Sequence, residues 1–226
     1  MEDFHPHPTT LSDRIYHILK KQILQHTLPP GTRLVDYQIA QQLGVSRTPV
    51  REAIYHLVRS GFVENSDKRG FYVLSASHQD IDEWYEVRQI IDEAVVSRLI
   101  RPATAQMGKY YHQQLLQLER QYLQEYESHP HQFSVVDEHF HSRMVAILDN
   151  QRIAHFYAST AHPLRVFRYS NDSSPAWRDC SHQTHLLLLR RIHERDLPGA
   201  LHLVREHVGS ARKKSHAWLD DLTSSP

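Results

Sequence analysis

From Ser77 to the end, the chain carries helical periodicity and almost no strand signal. "HQDIDEWYEVRQIIDEAVVSRLI" and "QMGKYYHQQLLQLERQYLQEYE" are each long amphipathic stretches. Further helical stretches are readable at about 133–148, 151–169, 178–195 and 198–219, separated by "SHPH", "LDN", "SNDSSP" and "RDLP". With only 7 glycines in 226 residues, tight turns are few and helices are long. This part therefore reads as an all-α bundle of six to seven helices.

The first 76 residues read differently. In "LSDRIYHILKKQILQHT", Leu11, Ile15, Ile18, Leu19 and Ile23 fall at helical spacing, with Ser12 as the expected cap. "LPPGTRL" breaks that helix. "VDYQIAQQLG" is a short second helix, packed through Ile39 and Leu43 and stopped by Gly44. Ser46 is expected to cap a third helix, with Pro49 tolerated in its first turn and Gly61 just past its end. "FVENSDKRGFYVL" then reads as a β-hairpin with a polar tip. Three helices and a hairpin make a winged helix-turn-helix over residues 1–76, with the helical part spanning 77–226.

On the third helix, Val50, Ala53, Ile54 and Leu57 form an apolar stripe, while Arg47, Arg51 and Tyr55 follow a separate row. An arginine fork matches a phosphate or the major-groove edge of guanine. Ser46, Thr48 and the free amides at the helix start suit a phosphate, and Lys68, Arg69 and Gly70 lie at the hairpin tip. The other reading is that Arg47 and Arg51 make surface ion pairs with Glu52 or Asp36. Charge alone does not choose a partner. Lys plus Arg equals Asp plus Glu over the whole chain, and residues 1–76 hold 9 basic and 7 acidic side chains, a net of +2. The cations are placed rather than numerous.

The stretch "LPPGTRLVDYQIAQQLGVSRTPVREAIYHLVRSGFVENSDKRGFYV" resembles the DNA-binding domain of the GntR family of bacterial transcription regulators. The helical remainder resembles the FCD ligand-binding domain of the FadR subgroup. The resemblance implies contacts to double-stranded operator DNA from Ser46, Arg47, Thr48 and Arg51, and an approach of Gly70 to the minor groove. Tyr37 stands where the family often has an arginine or lysine.

Histidine is abundant, at 19 residues. In "VVDEHFHSRMVAIL", Asp137 and His141 are four apart and share a helical face. His185 precedes Asp196 by eleven residues and His207 follows it by eleven. In an antiparallel hairpin both stand about 16 Å from the turn. Asp137, His141, His185 and His207 then offer three nitrogens and one oxygen to a divalent metal such as Zn, Ni or Mn. Each histidine alone reads equally well as a surface or core residue. The FCD resemblance implies a metal at these places, with Thr184 replacing an acidic neighbour. It also implies that Arg88 faces a cavity and meets a small carboxylate effector, assisted by Arg165 or Arg168. The residues themselves equally allow an Arg88–Asp92 ion pair.

The expectation is a cytoplasmic, homodimeric repressor rather than an enzyme, controlled by an organic acid. The single cysteine, Cys180, and the absence of a signal-peptide pattern or a membrane-length apolar run agree with that. The rival class is a metal-dependent hydrolase using the same histidines and aspartate.

Overall fold

The computed structural model describes residues 10–25, 27–66, 70–129, 131–170 and 174–224. Helix α1 spans Leu11–Leu24. Its cap is Thr10, not Ser12: the Thr10 hydroxyl accepts from the Asp13 amide, and the Asp13 carboxylate accepts from the Thr10 amide. This reciprocal pair selects Thr10 over its neighbour. Ile15, Leu19 and Ile23 are buried as expected, whereas Leu11 and Ile18 stay exposed.

Strand β1 (Arg33–Leu34), helix α2 (Asp36–Leu43) and helix α3 (Arg47–Arg59) follow. Gly44 ends α2 at φ 66° and Gly61 follows α3 at φ 78°, left-handed positions that glycine fills without penalty. Strands β2 (Val63–Ser66) and β3 (Gly70–Val73) form the hairpin, in register Val63↔Val73 and Ser66↔Gly70. The hairpin also takes up β1 on the outer side of β3, giving an antiparallel sheet of order β1-β3-β2. Val50, Ala53, Ile54 and Leu57 are fully buried against Ile15, Leu19, Phe62 and Val73. Lys68 and Arg69 lie outside the described residues.

The remainder is helical: α4 (His78–Ile100), α5 (Ala105–Ser128), α6 (Phe133–Ala146), α7 (Gln151–Ser170), α8 (Pro175–His193) and α9 (Leu197–Ser224). Helix α8 begins three residues earlier than its periodicity indicates, because Ser174 caps it and Pro175 fits the first turn. Helices α4 and α9 share the most extensive contact, and α8 packs along α9. A second apolar core runs between these helices. Trp218 of α9 packs against both cores. Among the described residues, no helix is long and apolar enough to cross a membrane.

Candidate functional site

Two places carry the chemistry. The first is the start of α3. Ser46, Arg47, Thr48 and Arg51 are all exposed there. Ser46 occupies the cap position, but its side chain makes no capping hydrogen bond. A capping serine bonds the amide two or three residues on, and the third residue here is Pro49, which has no N–H. The expectation that Ser46 caps α3 through its hydroxyl is therefore corrected, and the residue is exposed at the helix start.

Asp36, the first residue of α2, reaches the arginine row. Arg47 Nη2 donates to Asp36 Oδ2 at 3.0 Å and to Oδ1 at 3.2 Å, and Arg51 Nε lies 3.7 Å from Oδ2. The ion-pair reading thus holds for Asp36. The two arginine side chains nevertheless remain 59% and 53% exposed. Burial alone would raise the Asp36 carboxyl. The Arg47 hydrogen bond, the Tyr37 amide and the two guanidinium charges outweigh it and hold Asp36 below the usual carboxylate range. Gly70 opens β3 at φ 99°, a conformation that L side chains rarely adopt. The Tyr55 ring packs edge-on to Phe71 of the hairpin, so the outer end of α3 is braced against the sheet.

The second place lies inside the helical part. Asp137 and His141 come one turn apart from α6, His185 from α8 and His207 from α9; all four are buried. One ligand atom from each falls within 4.8 Å of the others. His185 Nε2 is 3.4 Å from Asp137 Oδ1, and the Nε2 atoms of His141 and His207 are each 3.7 Å from it. Those two nitrogens are 3.1 Å apart. Bond lengths near 2.0–2.1 Å at a tetrahedral ion separate ligand atoms by about 3.3 Å, so the set fits one ion. Burial lowers the His141 pKa to about 3, with Arg88 adding to the effect. Burial and the neighbouring His185 likewise lower that of His207. Both rings stay neutral, the form that binds a metal.

Two partners of this centre were not legible in the sequence. The Tyr122 hydroxyl, from α5, lies 3.0 Å from His185 Nδ1 and 2.9 Å from His182 Nδ1. Burial first, and the nearby Asp137 charge second, raise its pKa, so it remains a phenol. Asp92 lies 3.8 Å from His141 Nδ1 on its Oδ2 side. Thr184 instead donates to the Cys180 carbonyl of its own helix and is half-buried.

Arg88 is buried, and its Nε lies 3.3 Å from Asp92 Oδ2, one turn on. Among the described residues its Nη2 has no hydrogen-bond partner. Arg88 thus makes the ion pair that the residues allow and also lines a cavity beside Asp137 and His207. Tyr85, Phe133 and Trp177 form the aromatic walls of that cavity. The cavity is narrow and partly open, with about 20 Å³ of free space, room for one water. Arg165 sits in α7, but its side chain is outside the described residues, as is that of Arg168.

Residues 11–73 match the family described as bacterial regulatory proteins, gntR family, and residues 83–210 match the FCD domain. The uncharacterized HTH-type regulator YdhC of Bacillus subtilis is 30% identical over 182 residues, covering 76% of this chain and 78% of that one. The HTH-type repressor RspR of Escherichia coli is 26% identical over 226 residues, covering 93% and 94%. A GntR regulator from Rhodococcus sp. RHA1 shares the fold at TM-score 0.57 and 23% identity, over 91% of this chain and 97% of that one. These relatives are regulators, not enzymes, so the hydrolase reading is not favoured. The chain belongs to the GntR family of bacterial DNA-binding transcription regulators, with an FCD domain as its helical part.

Proposed function

We propose that the chain is a cytoplasmic, homodimeric repressor. Residues 1–76 bind one half of a palindromic operator each, and residues 77–226 hold a divalent metal and a small carboxylate effector. The observation that carries the ligand reading is one constellation: three buried imidazoles and a carboxylate converge within 4.8 Å, beside a buried arginine whose Nη2 has no partner among the described residues. Asp137, His141, His185 and His207 are the residues that would hold the ion. An ion that expands beyond these four ligands would offer a further position to an effector oxygen. Arg88 would take the effector's carboxylate through its Nη2 edge. On the DNA side, Ser46, Arg47, Thr48, Arg51 and Gly70 are the contacts proposed, with Lys68, Arg69 and, in the pocket, Arg165 as further members outside the described side chains. The Escherichia coli relative RspR is a repressor, which supports the sign.

The narrow cavity supports a mechanism of coupling. An organic acid is larger than one water, so its entry would widen the space that Tyr85 and Arg88 on α4 share with His207 and Ala211 on α9. Helix α4 begins five residues after β3 ends, and α9 carries Trp218 against both cores. Parting α4 from α9 therefore shifts the winged helix-turn-helix relative to its dimer mate.

The test is reciprocal titration of zinc-loaded protein with C3–C6 mono- and dicarboxylates, with and without operator DNA. An acid that changes operator affinity must have its own affinity changed by the same factor. Equal acid affinities in both titrations, for every acid that binds, refute the coupling.

A further inference from the structure

The first residue of α4 and the late part of α9 meet at a cluster used by neither place above. His78 Nδ1 lies 2.6 Å from His216 Nδ1. The rings are within 12° of parallel, with centroids 4.9 Å apart. That separation sets them edge to edge; Tyr126 and His182, which stack face to face, are only 3.6 Å apart. The two Nδ1 atoms therefore point at one spot. The opposite nitrogen of each ring is occupied. His216 Nε2 donates to Asp82 Oδ1 at 2.8 Å, and His78 Nε2 is 3.0 Å from Asp220 Oδ1. An ionised carboxylate only accepts, so each Nε2 carries the hydrogen. With the hydrogens on Nε2, the two Nδ1 lone pairs face each other, and the contact is favourable only with a cation between them, a shared proton or a metal ion.

We infer that His78 and His216 form a second metal site, for a borderline divalent ion such as Zn(II) or Ni(II), with Asp220 and Asp82 behind them. A carboxylate behind each imidazole fixes the tautomer and orients the ring of a metal-binding histidine. At a tetrahedral ion the two nitrogens stand about 3.3 Å apart, so the rings must separate by roughly 0.7 Å. Side chains that are 52% and 25% exposed have room for that. Asp220 and Asp82 offset the ion's charge, with Arg212 Nε 3.7 Å from Asp82 Oδ1 taking part of the latter's, and water completes the shell. Two protein ligands make this a weaker, exchangeable site than the buried one.

Its position gives it a task. His78 follows Ser77, the cap of α4, and His216 is two residues before Trp218, which packs against both cores. An ion joining them fixes the start of α4 to α9 where the winged part meets the helical part. The site is independent of the buried centre, so the failure of one leaves the other standing.

The test counts zinc. Full-length protein is stripped with chelator, dialysed against Zn(II), and zinc per chain is measured for wild type, His216→Ala, His78→Gln and Asp137→Ala, with folding checked by circular dichroism. His216→Ala and His78→Gln each bind one ion fewer than wild type, and the same loss appears when His216→Ala is added to Asp137→Ala. Asp82→Asn or Asp220→Asn weakens that increment by about 10–100-fold. Equal zinc counts in wild type and both histidine variants overturn the site, whatever Asp137→Ala does. Imidazole nitrogen resonances of His78 and His216 that zinc leaves unmoved overturn it as well.

Discussion

Asp36 grips Arg47 with both carboxylate oxygens, at 3.0 and 3.2 Å, and still leaves the guanidinium 59% exposed. The carboxylate aims the arginine without hiding it. An exposed pair of this kind is worth about 0–1 kcal/mol, against about 1–3 kcal/mol for a bidentate base contact, so DNA can claim the fork. Arg47→Ala is expected to weaken operator binding by about 1–3 kcal/mol, roughly 5- to 150-fold. Asp36→Ala is expected to act differently. It frees both arginines for any phosphate, so binding to scrambled duplex strengthens and the operator-to-scrambled ratio falls. Fluorescence anisotropy with the two duplexes at two ionic strengths measures both effects. A ratio unchanged by Asp36→Ala contradicts the aiming role.

Removing the metal tests the buried centre. A ligand present at a hundredfold over its Kd stabilises the folded state by about 2.7 kcal/mol, and each kcal/mol shifts the Tm of a chain this long by about 2–4 °C. Chelator is therefore expected to lower the Tm of the metal-loaded protein by about 5–10 °C, and added Zn(II) or Ni(II) to restore it. Asp137→Ala and His185→Ala lose most of that response, keeping only what the weaker second site contributes. Melting curves with and without chelator decide it; a wild-type Tm indifferent to chelator and to added metal removes the centre from consideration.

The parts readable in the sequence are those whose causes are local. Gly44 and Gly61 marked the ends of α2 and α3 because a left-handed turn suits glycine. The meeting of His185 with His207 was readable by counting, since two straight helices and a short turn turn residue number into height. Strand β1 was not readable: two residues have no period, and they become a strand only by pairing with β3 some 38 residues later. Tyr122 and Asp92 were hidden for the same reason. Each reaches the histidines from a helix whose packing angle no local pattern encodes. The missing Ser46 bond was legible after all, in the proline three residues on.

Arg88 and Asp92 are both buried and pair one turn apart. Removing one partner strands a charge in the interior, at a cost of about 3–5 kcal/mol, whereas replacing both by apolar side chains is often neutral. Asp92→Ala alone is expected to lose about that much stability. Arg88→Leu with Asp92→Leu is expected to recover most of it, but to lose all response of operator binding to organic acids. Urea unfolding measures the first pair of values and anisotropy the second. A double variant as unstable as Asp92→Ala rules out the pairing account.

Tyr122 is the remaining lever, because its hydroxyl touches His185 on the side away from Asp137. His185 Nε2 faces Asp137 at 3.4 Å while Nδ1 faces the phenol at 3.0 Å, so the hydroxyl fixes which way the ring turns. It does the same for His182 at 2.9 Å. Tyr122→Phe keeps the ring that packs on Phe140 and deletes only the hydroxyl. The fold should therefore persist, while zinc affinity falls by about 10–100-fold, the usual cost of losing a partner behind a metal-binding histidine. Competition with a zinc-binding dye gives the affinity, and chelator-treated melting gives the fold. Unchanged zinc affinity in Tyr122→Phe would show that packing against Phe140, not the hydroxyl, sets the His185 ring.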